Sequence, residues 1–375
     1  MSRSGANVLL VVSGLGCMIP LIMISSFFFD GQNDFAPFYI GANLVGTDHL
    51  YDGNKNREVA LEKIGHTAET WRYIRPPFHA AFLWPLAQLE YPTAYVVWIC
   101  LLAAALGAYL TIWRIPSRSE SIVFTAWNMP LFASFLVAQD VVLLLLIISL
   151  GIYWESRQKP IAAGLVLSLC AAKFHLFVLL PLLMLAQRRV SMLVAFGTGG
   201  LGLAALSFFA GGADWPLQAY RAATSEAVSP GGRTMPNLHG MLIGMPGGAW
   251  WEVLFTVIII WLAWLAFQRV YFAEGLAVAT VGGLLISHHA YIYDCALLLP
   301  AILVLRCQAI QTWVRALGLF LLSPPFVFLI SHDRPWSQMA QGTLALFFLG
   351  IAVPHAVALR RVFRSTLDLQ KPEEC

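Results

Sequence analysis

Residues 94–113 read A-Y-V-V-W-I-C-L-L-A-A-A-L-G-A-Y-L-T-I-W, a run of twenty residues without a charged side chain. About 20 apolar residues cross the hydrocarbon core of a bilayer as one helix, so this run predicts a transmembrane helix. The whole chain has a similar character. Of its 375 residues 59% are hydrophobic and 11% are charged, against about 25% charged in a soluble domain, and the mean hydropathy is +0.71. The composition predicts an all-α polytopic membrane protein and excludes a soluble enzyme, a coiled coil and a disordered chain.

The basic residues of the short loops predict the topology. Lys and Arg in such loops favour the cytoplasmic side, and here they separate one apolar run from the next, for example at Arg114, Arg157, Arg188 and Arg269. With all of them inside, the apolar runs give about twelve transmembrane helices in a multi-pass protein of the plasma (inner) membrane. Both termini are then cytoplasmic, and residues 1–375 form a single integral membrane domain.

The same topology places two long polar loops, 29–76 and 211–249, on the periplasmic or exterior side. The apolar run Val8–Phe29 before the first loop is interpreted as an uncleaved helix rather than a signal peptide. Residues 77–113 are too long for one helix at 1.5 Å per residue, so they predict a short, partly inserted helix before 94–113. Residues 160–187 predict a tight hairpin with its outer tip near Lys173 and His175.

The first outer loop carries the acids with the clearest chemical interpretation. Asp30 and Asp34 follow the first apolar run, and Phe35, Phe38 and Tyr39 come next, a spacing that predicts a short interfacial helix. A carboxylate that is partly removed from water there has a raised pKa and can act as a general base for a hydroxyl. The alternative is a hydrated acid that ends a helix.

The loop resembles the signature of glycosyltransferase family 87, a family of GT-C-type integral membrane glycosyltransferases. The matching residues are Asp34-Phe35, Phe38-Tyr39, Gly41-Ala42, Gly46, Leu50-Tyr51-Asp52 and Arg75-Pro76-Pro77-Phe78. Weaker matches follow at Gln139, where the family commonly has Gly-Gln and this chain has Ala138, and at Lys173, where Phe174 replaces a proline that often follows the lysine. The resemblance implies a GT-C-type bundle, a polyprenyl-phosphate-linked sugar donor, and a general base at Asp34.

A lipid-linked donor needs cations or hydrogen-bond donors for its phosphate. Lys173 is the first candidate, because a lysine in an apolar hairpin is costly and by default functional, although its amine can also snorkel to the surface. Asp140 is a candidate second carboxylate near Asp34. The predicted donor-phosphate and substrate-binding residues are Lys173, Arg75, His175, Gln139, Asp140, His239, His288 and His289.

The histidines allow more than one interpretation. Ser287-His288-His289 together with Asp294 can bind a metal, can hydrogen-bond a sugar or phosphate, or can cap a helical turn. His239 lies in R-T-M-P-N-L-H-G and is a candidate acceptor contact. The predicted mechanism requires neither a metal nor another cofactor.

The sequence therefore predicts a membrane glycosyltransferase that moves a sugar, mannose by the resemblance, from a polyprenyl-phosphate carrier to a lipid or glycan hydroxyl at the outer leaflet, with inversion. The predicted partners are this donor, the acceptor and membrane lipids, without nucleic acid. No nucleotide-binding G-x-x-x-x-G-K-[ST] and no D-x-D occurs in the chain. The main alternative is a transporter or flippase of lipid-linked glycans, which predicts ionisable groups along a path at mid-membrane depth. A non-catalytic assembly partner, without cations facing Asp34, is a third possibility.

Overall fold

The computed structural model describes residues 8, 12, 33–68, 70–113, 118–224, 232–306 and 311–357, which contain helices and no strand. The α-helices are α1 (Phe35–Leu44), α2 (Gly53–Lys63), α3 (Pro77–Ala87), α4 (Tyr91–Ile112), α5 (Arg118–Trp127), α6 (Met129–Leu136), α7 (Val141–Ser156), α8 (Pro160–Ser168), α9 (Leu179–Ala186), α10 (Val190–Gly211), α11 (Trp215–Ala223), α12 (Leu238–Leu242), α13 (Gly248–Phe267), α14 (Phe272–Ile286), α15 (Leu298–Arg306), α16 (Thr312–Leu321), α17 (Pro324–Ile330) and α18 (Trp336–Val357). Short 3₁₀ helices cover Leu169–Leu176, Gly232–Thr234 and Ile292–Leu297.

Four of these helices, α4, α10, α13 and α18, are long and apolar enough to cross a membrane. The pair α16 and α17 bends by 68° and adds a fifth if it counts as one span. The prediction of about twelve crossings is therefore not confirmed in the described part of the chain, and the predicted first helix, Val8–Phe29, lies almost wholly outside it. Several other apolar helices are shorter. Among them, Val141–Ser156 begins after the buried Asp140, and Pro160–Leu176 contains the buried Lys173.

The predicted hairpin 160–187 shows such a break. Helix α8 passes into the 3₁₀ turn Leu169–Leu176, and Lys173 within it leaves helical geometry with φ −129° and ψ 52°. Helix α14 lies close against this turn, since a Cβ at Gly283 would stand 2.0 Å from the carbonyl oxygen of Leu176. The break therefore occurs inside the packed bundle and holds Lys173 there.

Helix α1 is buried in the protein, whereas the aromatic spacing predicts a helix at the membrane interface. The ring of Phe35 is fully buried and stacks on the rings of Tyr91 (5.9 Å) and Trp98 (5.6 Å) of α4. Gly41 allows close approach on another side, because a Cβ there would lie 2.1 Å from the Tyr73 ring. The aromatic residues of α1 thus find aromatic partners on α4 instead of lipid headgroups. Helix α2, in contrast, is largely exposed.

Candidate active site

Five side chains predicted from the sequence meet in one place, where helices begin or break. Asp34 precedes α1, Arg75 ends the loop before α3, Gln139 and Asp140 precede α7, and Lys173 occupies the break after α8. Each of them lies in a loop or turn, so its side chain can point toward the other four and is not confined to one face of a regular helix.

Asp34 is the partly exposed member of this group. Its backbone N–H donates to the carbonyl of Val137 (2.8 Å), which ties the start of α1 to the turn before α7. Its side chain makes no capping bond to α1. Instead, Nε2 of Gln139 donates to Oδ2 of Asp34 over 2.7 Å. The carboxylate is therefore held by a neighbour, on a residue that is only partly buried.

The turn before α7 aims Gln139 and Asp140 in different directions. Ala138 adopts φ 55°, a left-handed conformation that glycine takes readily and other residues seldom do. The indole Nε1–H of Trp98 donates to the Ala138 carbonyl (2.8 Å) and holds the turn in place. The glycine of the resembled family pattern falls at this position, and the positive φ gives its physical reason.

Arg75 bridges the two residues of that turn. Its Nη2 donates to Oε1 of Gln139 (3.4 Å) and to Oδ1 of Asp140 (3.3 Å), and its Nη1 donates to the carbonyl of Ala172 (3.4 Å). The guanidinium also lies 5.6 Å from the centre of the Phe38 ring. Arg75 thus links α1, the start of α7 and the break at Lys173.

Lys173 is buried between two carboxylates. Its Nζ lies 2.6 Å from Oδ1 of Asp294 and 3.5 Å from Oδ1 of Asp140, and 5.0 Å from the centre of the Tyr293 ring. The backbone N–H of Tyr291 donates to Oδ2 of Asp294 (2.9 Å). The amine therefore does not snorkel to the surface, and the protein itself supplies its counter-ions.

Asp34 and Asp140 differ in their electrostatic surroundings. Burial raises the pKa of Asp34 above its usual value, and the hydrogen bond from Gln139 and the charges of Lys173 and Arg75 oppose this increase only in part. Burial also acts on Asp140, but the charges of Arg75 and Lys173 outweigh it and hold the pKa of Asp140 well below its usual value. The two carboxyls of the cluster therefore differ in the direction of their pKa shifts, Asp34 upward and Asp140 downward.

Two members of the cluster were not among the predicted site residues. Asp294, which the sequence analysis considered with Ser287-His288-His289 as a metal ligand, a sugar or phosphate contact or a helix cap, pairs with Lys173. His79 places Nε2 3.4 Å from Oδ2 of Asp140 and Nδ1 3.5 Å from the Tyr73 hydroxyl. A lone acid in the long apolar segment 275–306 is a usable signal for Asp294, because a buried charge demands a partner; for His79 the sequence carries no comparable signal.

The remaining predicted histidines lie elsewhere or at the edge of the cluster. His239 and His288 meet Glu252 instead of Asp294, with Nδ1 of His239 3.0 Å from Oε2 and Nδ1 of His288 3.5 Å from Oε1 of that residue. His289 is the neighbour of His288, with ring centres 4.9 Å apart. His175 is half-buried beside Phe174. The residues His288, His289 and Asp294, considered together as metal ligands in the sequence analysis, are thus divided: His288 contacts Glu252, whereas Asp294 pairs with Lys173.

Comparison with known proteins agrees with the resemblance seen in the sequence. The model of glycosyltransferase family 87 matches residues 73–288, more than half of the chain. The matched range contains Arg75, Gln139, Asp140 and Lys173 and begins after Asp34. No curated protein and no solved structure shows a significant match.

Proposed function

Because the chain belongs to glycosyltransferase family 87 and is a membrane glycosyltransferase, we propose that its donor is a polyprenyl-phosphate-linked sugar, with mannose as the sugar. The acceptor is a hydroxyl of a lipid or glycan at the outer leaflet of the plasma membrane. The outward orientation is supported by the basic short loops, which then lie in the cytoplasm. The polyprenyl-phosphate donor is supported by the sequence, in which no nucleotide-binding motif occurs.

The observation that carries the proposal is the Asp34 carboxylate, which is held by Gln139 and belongs to a partly exposed residue, beside the buried residues Arg75 and Lys173. A base with a raised pKa is the better proton acceptor, and the partial exposure leaves room for a hydroxyl within hydrogen-bond reach. Asp140 and Asp294 are both buried and ion-paired, so they are poorer candidates for the base.

The transfer is a single displacement with inversion. The acceptor hydroxyl gives its proton to Asp34 as its oxygen forms a bond to the anomeric carbon of the sugar. The bond from that carbon to the phosphate oxygen breaks, and the lipid phosphate leaves with the electron pair. Arg75 and Lys173 stabilise the departing negative charge, a preorganised electrostatic effect that is commonly the largest single contribution to catalysis.

Lys173 acts at short range without being exposed. Its ammonium has three donor hydrogens, and the structure gives it contacts with Asp294 and Asp140. We propose that the positive charge of this buried ammonium lies beneath the leaving phosphate and stabilises it electrostatically. The predicted contacts of His175 and His289 with sugar or phosphate belong to the same proposal, since both lie in the loops that carry Lys173 and Asp294.

The test is sugar transfer by the purified protein in lipid nanodiscs. Radiolabelled polyprenyl-phosphate mannose and a lipid extract of the source membranes are supplied, and labelled product lipids are separated by thin-layer chromatography. We expect transfer from this donor and none from GDP-mannose alone, while Asp34→Asn should show no more than about 1% of the parent rate.

Two results would overturn the proposal. Transfer from the nucleotide sugar without carrier lipid would contradict the donor assignment. Movement of the lipid-linked sugar across vesicle membranes, without transfer to any acceptor, would indicate a flippase activity instead of the proposed reaction.

A further inference from the structure

A second polar cluster lies apart from the Asp34 group and has no role in the mechanism above. It joins His239 on the short helix α12, Glu252 near the start of α13, and His288 in the turn after α14. Each residue offers one ligand atom, and the three atoms lie within 4.8 Å of one another. We propose that these three residues bind a divalent transition-metal ion of the zinc type.

The distances between the donor atoms fit a shared metal. The Nδ1 atoms of the two imidazoles lie 3.0 Å (His239) and 3.5 Å (His288) from the two carboxylate oxygens of Glu252. Zinc binds imidazole nitrogen and carboxylate oxygen at about 2.0–2.2 Å, so neighbouring ligands of a tetrahedral site stand about 3.3–3.5 Å apart. The three ligand atoms lie within 4.8 Å of one another, so adjustment of the side chains around an ion would bring them to these distances.

The ligand types and their exposure favour a site with open positions. Two histidines and one glutamate are a known ligand set of zinc enzymes, which leaves one or more positions for water. The side chains of His239 and Glu252 are 20% and 24% exposed, and that of His288 is 62% exposed. An ion can therefore enter from solvent, and it keeps water or an added anion as a further ligand.

The backbone around the two histidines is fixed without help from the cluster. The Asn237 side chain accepts a hydrogen bond from the Gly240 N–H (2.7 Å) and donates Nδ2 to the Ser287 carbonyl (2.7 Å). This one buried amide thus joins the start of α12 to the residue before His288. The imidazoles stand close as a result, with ring centres 4.1 Å apart, and this preorganisation is what a metal site requires.

The site would also connect to the catalytic cluster through a short stretch of chain. His288 lies near the start of the segment between α14 and α15, Asp294 lies in the 3₁₀ helix Ile292–Leu297 of the same segment, and Asp294 contacts Lys173. A bound ion would brace the first end of this segment. The assignment makes His239 and His288 metal ligands instead of direct phosphate contacts, and it does not depend on the identity of the donor.

The experiment is a metal-binding measurement on the untagged full chain in detergent. After chelator treatment and dialysis, Zn²⁺ is titrated calorimetrically, and bound metal is counted by mass spectrometry. We expect one Zn²⁺ per chain. Co²⁺ should give the visible absorption of a site with nitrogen and oxygen ligands, and Mg²⁺, which prefers oxygen and water, should not compete.

Variants separate a metal site from a hydrogen-bonded trio. Glu252→Gln keeps the shape and the hydrogen-bonding capacity but loses the anionic ligand, so Zn²⁺ affinity should fall by at least about 100-fold, the upper range for loss of an outer-shell partner. His239→Ala should do the same, and the matched control His332→Ala, an exposed histidine on another element, should bind like the parent. Absence of stoichiometric Zn²⁺, or parent-like affinity in Glu252→Gln, would overturn the proposal.

Discussion

Asp34 accepts a hydrogen bond from Gln139, and Asp140 follows Gln139 in the chain and pairs with Arg75 and Lys173. Replacing each acid by asparagine should therefore affect different properties. Asp34→Asn keeps an oxygen that accepts from Gln139 Nε2, the 2.7 Å contact of the parent. It also removes a charge whose burial is unfavourable. We therefore expect folding stability to be kept or slightly increased while turnover falls, because only the proton acceptor is lost.

The expected sizes are far apart. Loss of a general base costs about 10²–10⁴-fold in rate, equivalent to about 3–5 kcal/mol of transition-state stabilisation. Asp140→Asn instead leaves Arg75 and Lys173 without one of their carboxylate partners, and breaking a buried ion pair costs about 3–5 kcal/mol of folding free energy. Asp30, which lies outside the described residues, is the comparator in the first loop, and Asp30→Asn should lower the rate by less than about tenfold.

The pH dependence adds an independent signature of Asp34. Its folded pKa lies above the unfolded value because of burial, so between the two values the native state binds more protons. The free energy of unfolding therefore falls as pH rises through this window, whereas activity rises over the same window because the base becomes ionised. Asp34→Asn should remove this contribution to stability along with the activity.

The assay is single-turnover sugar transfer at saturating donor and acceptor, with thermal unfolding followed by tryptophan fluorescence on the same preparations. The reasoning is refuted if Asp34→Asn transfers at a near-normal rate. It is also refuted if Asp140→Asn unfolds at the parent temperature, since the buried pairing would then contribute nothing.

Three further predictions rest on other contacts. Lys173→Met should lower the unfolding temperature and should lower turnover about 30- to 1000-fold. The double variant Lys173→Met/Asp294→Leu should regain stability but not turnover, and recovery of its turnover would show that the amine is only a counter-ion. Gly283→Ala should lower the free energy of unfolding by about 1–3 kcal/mol through overpacking, whereas Gly342→Ala, with open space around its Cβ position, should not, and equal melting temperatures would contradict the packing argument. A cysteine at Asn54 should react with a membrane-impermeant maleimide from outside intact cells, and reaction only from the cytoplasmic side would reverse the topology.

The five residues that the sequence analysis assigned to one site meet in the structure because they share one property. Asp34, Arg75, Gln139, Asp140 and Lys173 all fall at predicted helix ends on the same side of the topology, so their convergence follows from the hydrophobic pattern and the basic loops. The ion pair of Lys173 with Asp294 could not be predicted, because it depends on how α14 packs against the broken hairpin. The number of crossings was predicted from apolar runs, and such runs do not distinguish a full span from a helix that breaks at a buried charge.

The cluster around Glu252 also could not be predicted from the local sequence. Glu252 follows Trp250-Trp251 in the sequence, and that pair reads as an interfacial aromatic belt. Its partners, His239 and His288, are brought near each other by the hydrogen bonds of Asn237, which no local sequence pattern predicts. The site is visible only in the three-dimensional structure, where α12, α13 and the turn after α14 meet.

The proposed mechanism, with Asp34 as base, gives a reason for the burial of the two other acids of the cluster, Asp140 and Asp294. In the proposed reaction Asp34 loses its negative charge at the moment when the departing phosphate gains one. The positive charges of Arg75 and Lys173 must serve both sites without moving, because charges already in place need no reorganisation at the transition state. Asp140 lies against both cations, and Asp294 lies against Lys173. In the proposed mechanism Asp140 and Asp294 are therefore positioning residues, and their replacement should slow the reaction in proportion to the displacement of the cations that they hold.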